Sequence, residues 1–149
     1  MNRTVEGEAL TSLLLETFRL NGTLLAAGNH LTKPFELTSA RWQIMGPIFE
    51  SEESMTVAQI ARRMGLSRQG VQRIVNDLKA LNMVVPLPNR DHKRAPLISL
   101  SEAGRDVMIK IKDVQAVWVN NLAKDFSEDQ IKQALNLIET VRERADIST

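Results

Sequence analysis

Between residues 8 and 31 the apolar positions recur at helical spacing: Leu10, Leu13, Leu14, Phe18, Leu20, Leu24, Leu25 and Leu31. Pro34 ends this element, because proline lacks an amide hydrogen and crowds the preceding turn. Thr38 and Ser39 supply an N-cap for a second helix carrying Trp42, Ile44, Met45, Ile48 and Phe49. Pro47 inside it predicts a kink or an early end. The acidic run Glu50-Ser51-Glu52-Glu53-Ser54 reads as a loop. A short helix follows from Val57 to Met64, and a fourth from about Arg68 to Leu81. Two extended runs, Val84 to Leu87 and Leu97 to Leu100, flank a polar tip from Pro88 to Ala95. Prolines at 86, 88 and 96 suit an edge hairpin and would not suit a central strand. Ser101 and Glu102 open a long helix with Val107, Ile111, Val114, Val117, Trp118 and Leu122 on one face. Ser127-Glu128-Asp129 caps a last helix that carries Ile131, Leu135, Ile138 and Val141.

Residues 56–81 have the makings of a tight two-helix corner. Ala61 is small enough for the contact, Gly65 can take the positive φ that ends the first helix, and Val71 faces back from the second. Ile60, Met64, Leu66, Ile74 and Leu78 fall where such a unit must bury side chains, and Ser67 can cap the second helix through its hydroxyl. A unit of this kind lays its second helix in the major groove of DNA. The outward positions of that helix carry suitable chemistry: Arg68, Gln69, Gln72, Arg73 and Asn76. Arginine forks onto guanine, and glutamine or asparagine onto adenine. Thr56 and Ser67 suit phosphate oxygens. In the hairpin tip, Arg90, Lys93 and Arg94 form a basic probe for the minor groove, with His92 toward phosphate. Asp91 in that loop is expected to orient an arginine or cap the turn. The fold class expected is mainly α with a small β-hairpin wing: a winged helix-turn-helix between N- and C-terminal dimerisation helices.

Charge sharpens this picture. The 149-residue chain carries a formal charge of only +1, yet residues 62–94 hold eight basic side chains against Asp77 and Asp91. The rest of the chain is acidic on balance, so the positive charge is concentrated where the reading head is expected. With no cysteine, disulfides, thiolate metal sites and thiol-based oxidant sensing are excluded. The two histidines, His30 and His92, lie far apart without acids at ligand spacing, so neither a metal nor another cofactor is expected. There is no glycine-rich phosphate loop, no nucleophile elbow and no tyrosine, which argues against an enzyme. The start of the chain lacks a basic-then-apolar leader, and its apolar runs are too short to span a bilayer, so a cytoplasmic protein with no membrane partner is expected.

Thr56-Val57-Ala58-Gln59-Ile60-Ala61 through Leu78, then Asn89-Arg90-Asp91-His92-Lys93-Arg94-Ala95, then Ile98-Ser99-Leu100-Ser101-Glu102-Ala103-Gly104, resemble the MarR (multiple antibiotic resistance) family of regulators. The family's wing commonly carries an acid two residues before an arginine. Here Arg94 matches the arginine, His92 stands at the acid's place, and Asp91 lies one residue earlier. The resemblance implies a homodimer whose first and last helices interlock, a pseudo-palindromic double-stranded DNA operator, and a repressor that a ligand or stress signal releases. The apolar load of the terminal helices points the same way: Leu10, Leu13, Leu14, Ile131, Leu135, Ile138 and Val141 exceed what one subunit covers. Expected regions are 1–37 for dimerisation, 38–104 for DNA binding and 105–149 for dimerisation, within one compact subunit. The family's small aromatic effectors suggest His30, Arg41, Trp42, Met45 and Trp118 as lining residues, although the last three also sit at core spacing. The competing reading is a winged-helix module for protein or RNA contact. The Arg- and Gln-rich helix argues against a protein-contact face, and duplex RNA's narrow major groove argues against RNA.

Overall fold

The computed structural model describes residues 1–147. Helix α1 spans Val5–Thr32, capped by Thr4, whose Oγ1 accepts from the Gly7 amide at 3.0 Å, with Glu6 and Glu8 in the first turn. A 3-10 turn, Lys33–Phe35, contains Pro34 and ends on Glu36 in the left-handed region (φ 58°). Helix α2, Ser39–Ser51, starts at the predicted Thr38 cap. Pro47 does not end it. The proline costs the helix one hydrogen bond to the Gln43 carbonyl, and both residues border an open groove. The acidic loop accordingly begins two residues later than expected, with Glu52 in the left-handed region (φ 56°).

Strand β1, Met55–Thr56, was not legible in the sequence: two residues carry no periodicity. Helices α3, Val57–Met64, and α4, Arg68–Ala80, meet at Gly65, whose φ of 66° supplies the left-handed C-cap. Strands β2, Val84–Leu87, and β3, Leu97–Leu100, form the hairpin. The antiparallel sheet runs in the order β1-β3-β2, with Met55 opposite Ile98, Val84 opposite Leu100 and Leu87 opposite Leu97. Strand β2 is an edge, as its proline demands, and β3 is the centre, turning Ile98 and Leu100 inward. Helix α5 spans Glu102–Leu122 and α6 spans Glu128–Ala145. Mainly helical with a three-stranded sheet, the chain has the expected winged helix-turn-helix fold.

One core holds the two-helix corner and the sheet. Ile44, Met45 and Ile48 of α2 meet Ile60 and Ala61 of α3, Val71, Val75 and Leu78 of α4, and Ile98 of β3, with Met108 and Ile111 of α5 closing it. Leu66 is not among them. It lies at the corner beyond Gly65 and is 36% exposed, because the turn carries it out of the helix-helix contact. Contacts divide the chain into two compact units, Met1–Val114 and a second starting at Gln115. In the first, α1 buries only Gly28 and Thr32, both near its C-terminal end. In the second, α6 buries no residue at all, although Ser127 and Gln130 form a complete capping box at its start.

Candidate nucleic-acid interface

Each end of the two-helix corner is built by the local hydrogen bonding its sequence allows. Thr56 caps α3: its Oγ1 accepts from the Gln59 amide at 3.1 Å, and its own amide donates to Gln59 Oε1 at 2.9 Å. Ser67 caps α4, accepting from the Gly70 amide at 3.0 Å. In both residues the cap uses the hydroxyl as an acceptor. The O–H proton stays available to a phosphate oxygen. Gly70 belongs to this arrangement, since a Cβ there would lie 2.9 Å from Ser67 Oγ.

Helix α4 turns Val71, Val75 and Leu78 inward at 0% exposure. Arg68, Gln69, Gln72, Arg73 and Asn76 are all exposed, on the face the buried residues leave free. The Gln72 side-chain amide donates to Asn76 Oδ1 at 3.0 Å, joining two of these residues into one unit. Their placement on a rigid helix keeps such side chains in a narrow range of positions, which base-edge hydrogen bonding needs.

The wing is held by a residue the sequence reading did not single out. Asn89, half-buried at the base of the tip, donates from Nδ2 to the Ala95 carbonyl at 2.9 Å and accepts at Oδ1 from the Asp91 amide at 3.2 Å. The Ala95 amide closes the tip on the His92 carbonyl at 3.1 Å. Asp91 therefore does not orient an arginine; among the described residues no ion pair joins it to Arg90 or Arg94. What marked Asn89 was its spacing of six residues from Ala95 in a proline-flanked loop, a signal too common to weigh in advance. Arg90, His92, Lys93 and Arg94 are all exposed on this closed loop.

The electrostatics follow from what is missing around the block. The ion pairs between described residues are Arg3–Glu8, Arg19–Glu16 and Lys132–Glu128, all outside residues 62–94. The cations of α4 and the wing, with Arg62 and Arg63 in the last turn of α3, stand without carboxylate partners among the described residues. Such a surface repels itself and gains most from a polyanion.

The other predicted residues fall in different places. His30 is exposed near the end of α1, while Arg41 and Trp42 are half-buried on α2. Met45 is at 0% exposure within the core, so it lines no accessible surface. Trp42 borders a groove of about 320 Å³ with Gln43, Gly46, Pro47, Glu50, Arg63 and Met64. Trp118, half-buried on α5, belongs to the second unit. Leu10 and Leu14 are 38% and 40% exposed, and Leu13 is half-buried. Ile131, Leu135 and Ile138 line a groove of about 480 Å³ with Phe126, Gln130 and Ala134. Val141 is half-buried.

Residues 35–95 match the family model described as MarR family. An uncharacterized protein of Mycobacterium tuberculosis is 36% identical over 127 residues, covering 85% of this chain and 87% of that protein. Among solved structures, a mutant Escherichia coli MarR complexed with operator DNA superposes with a TM-score of 0.76 at 17% identity, covering 93% of this chain and 99% of that one. CouR from Rhodococcus jostii RHA1, bound to p-coumaroyl-CoA, superposes with a TM-score of 0.75 at 20% identity, covering 93% and 95%.

Proposed function

The chain belongs to the MarR family of transcriptional regulators, and on that premise we propose that it is a homodimeric, sequence-specific reader of duplex DNA that represses until a small aromatic effector releases it. The observation that carries this reading is the unpaired basic block: the polar face of α4 and the closed wing share residues 62–94, and none of their cations has a carboxylate partner among the described residues. Base edges are read from Arg68, Gln69, Gln72, Arg73 and Asn76, while Thr56, Ser67, Arg90, His92, Lys93 and Arg94 hold the backbone. Two heads are needed for a pseudo-palindromic operator. The exposed apolar faces of α1 and α6 support such pairing, with residues 1–37 and 105–149 as the dimerisation regions around the reading head of 38–104. For the effector, the groove beside Trp42 offers an aromatic wall with one cation, Arg63, and one carboxylate, Glu50, which suits an aromatic ring with polar substituents.

The test is a competition. Genomic fragments selected by the purified protein are compared with duplex RNA of matched length at several salt concentrations. Preferential retention of a pseudo-palindromic DNA, with affinity falling steeply as salt rises, is the expected result. Equal binding of duplex RNA, or of unrelated DNA, would defeat the reading and favour a module for other contacts. Quenching of the two tryptophans, Trp42 and Trp118, by aromatic acids, together with release of the bound fragment, tests the effector.

A further inference from the structure

Buried polar groups gather at one place in the first unit, where α1 turns into α2. Thr32 is 0% exposed and Ser39 is 5% exposed. The Thr32 hydroxyl lies 2.7 Å from the Gly28 carbonyl and 3.1 Å from the Leu37 carbonyl, on either side of the connecting turn. The Ser39 hydroxyl donates to the Leu25 carbonyl at 2.5 Å, reaching two turns back along α1. Asn29 Oδ1 accepts the Ser39 amide at 2.8 Å, satisfying an amide that the first turn of α2 leaves orphaned. Gly28 completes the set: a Cβ there would run into Ser39 Oγ and displace it from the Leu25 carbonyl.

We infer that Asn29, Thr32 and Ser39 are positioning residues, forming a rigid joint that fixes the direction of α1 relative to the DNA-reading head. Apolar faces tolerate small slips, since any neighbouring methyl serves nearly as well. A hydroxyl bonded to one carbonyl does not, because a slip of one residue moves that carbonyl about 1.5 Å along the axis and around the helix. A slip would leave the buried Ser39 hydroxyl and amide without their α1 partners and part Thr32 from the Leu37 carbonyl, so the polar set selects a single register. Helix α2 carries that register onward, since Ile44, Met45 and Ile48 pack in the same core as α3 and α4. The consequence for operators rests on the proposed dimer through α1: with both joints rigid, the separation of two reading heads is set, and so is the half-site spacing they accept.

The chain has no cysteine, so labels can be placed at will. Spin labels at Ser12→Cys on α1 and Asp77→Cys on α4, both exposed sites, report the angle across the joint within one chain when labelled protein is diluted in unlabelled protein. The parent gives one narrow distance. Ser39→Ala leaves the Leu25 carbonyl its own helical donor, so the protein folds, and the width of the distribution about doubles. Thr32→Val, which keeps the shape and loses the hydroxyl, broadens it likewise, whereas Thr32→Ser and Asn29→Asp keep it narrow. Unchanged distributions in both Ser39→Ala and Thr32→Val overturn the joint. In a second arm, unlabelled proteins bind the selected operator and a version with one added base pair between half-sites, which shifts one half by about 3.4 Å and 35°. Ser39→Ala lowers the parent's preference for the native spacing at least about fivefold. An unchanged preference overturns the role in spacing. If the parent binds no duplex selectively, the proposed function fails, while the distance measurement still decides the joint.

Discussion

Gly104 shows how a single position is constrained from two sides. Its amide donates to the Ser101 hydroxyl at 3.0 Å, and Ser101 in turn donates to the Asn82 carbonyl at 2.6 Å. A Cβ on Gly104 would run into the Met83 carbonyl oxygen and lie 3.0 Å from its carbon. The obstacle is backbone, which cannot rotate away as a side chain can. Gly104→Ala should therefore destabilise the fold by about 1–3 kcal/mol, measured as a lower urea midpoint at unchanged slope. On the reading face the expectation differs, because Gln72 is exposed and contributes little to folding. Gln72→Ala should leave the melting temperature within a degree or two while costing ~1–3 kcal/mol of discrimination at one base pair. Selection from randomised duplexes would expose the relaxed position. Loss of Gln72 also frees Asn76 Oδ1, so the preference at the neighbouring base pair should shift with it.

At the scale of elements, α4 and the wing differ in rigidity, and the proposed DNA contacts divide between them accordingly. Helix α4 is anchored through three fully buried residues and holds its polar side chains at fixed spacing. The wing is anchored by Asn89 and the strands that flank it, leaving its cations exposed on a loop. Specificity is expected from the first and sequence-independent attraction from the second. Arg94→Ala should weaken binding to all sequences about equally and reduce the slope of log affinity against log salt by about 1, since one phosphate fewer releases its counterion. If affinity and slope both held, the wing would not touch DNA. Asn89→Ala removes no charge. It should weaken binding through a looser tip, with a salt slope close to that of the parent, and that contrast separates positioning from contact.

For the whole molecule, the decisive feature is the apolar surface that one chain leaves open. Ile131, Leu135 and Ile138 are each between 43% and 51% exposed, and α6 has no buried residue. Exposed apolar faces of this extent mark interaction surfaces, which is what the proposed dimer requires of α6. On the proposed dimer, the parent should sediment as a dimer and Leu135→Glu combined with Ile138→Glu as a monomer, with operator affinity lowered because two half-sites would then be bound independently. A double variant that remained dimeric would place the interface elsewhere.

The sequence by itself determined the elements and the chemistry of the outward face of α4. Helical periodicity, the Thr38, Ser67 and Ser127 caps, Gly65 and the prolines of the hairpin all act within a few residues, so local order was enough to find them. The concentration of charge in residues 62–94 needs only counting. What the tertiary structure alone decided depends on residues far apart in the chain. Strand β1 exists because Met55 and Thr56 find Ile98 and Leu97, more than forty positions away. Pro47 is tolerated because its helix is packed on the core by Ile44, Met45 and Ile48, which outweighs one lost hydrogen bond. Leu66 is exposed and Met45 enclosed because the corner at Gly65 turns one away and the core claims the other. Asn29, Thr32 and Ser39 read as ordinary polar residues until the turn between α1 and α2 brings them together. Burial of Thr32 and Ser39 then gives these hydrogen bonds a directional role that composition does not reveal.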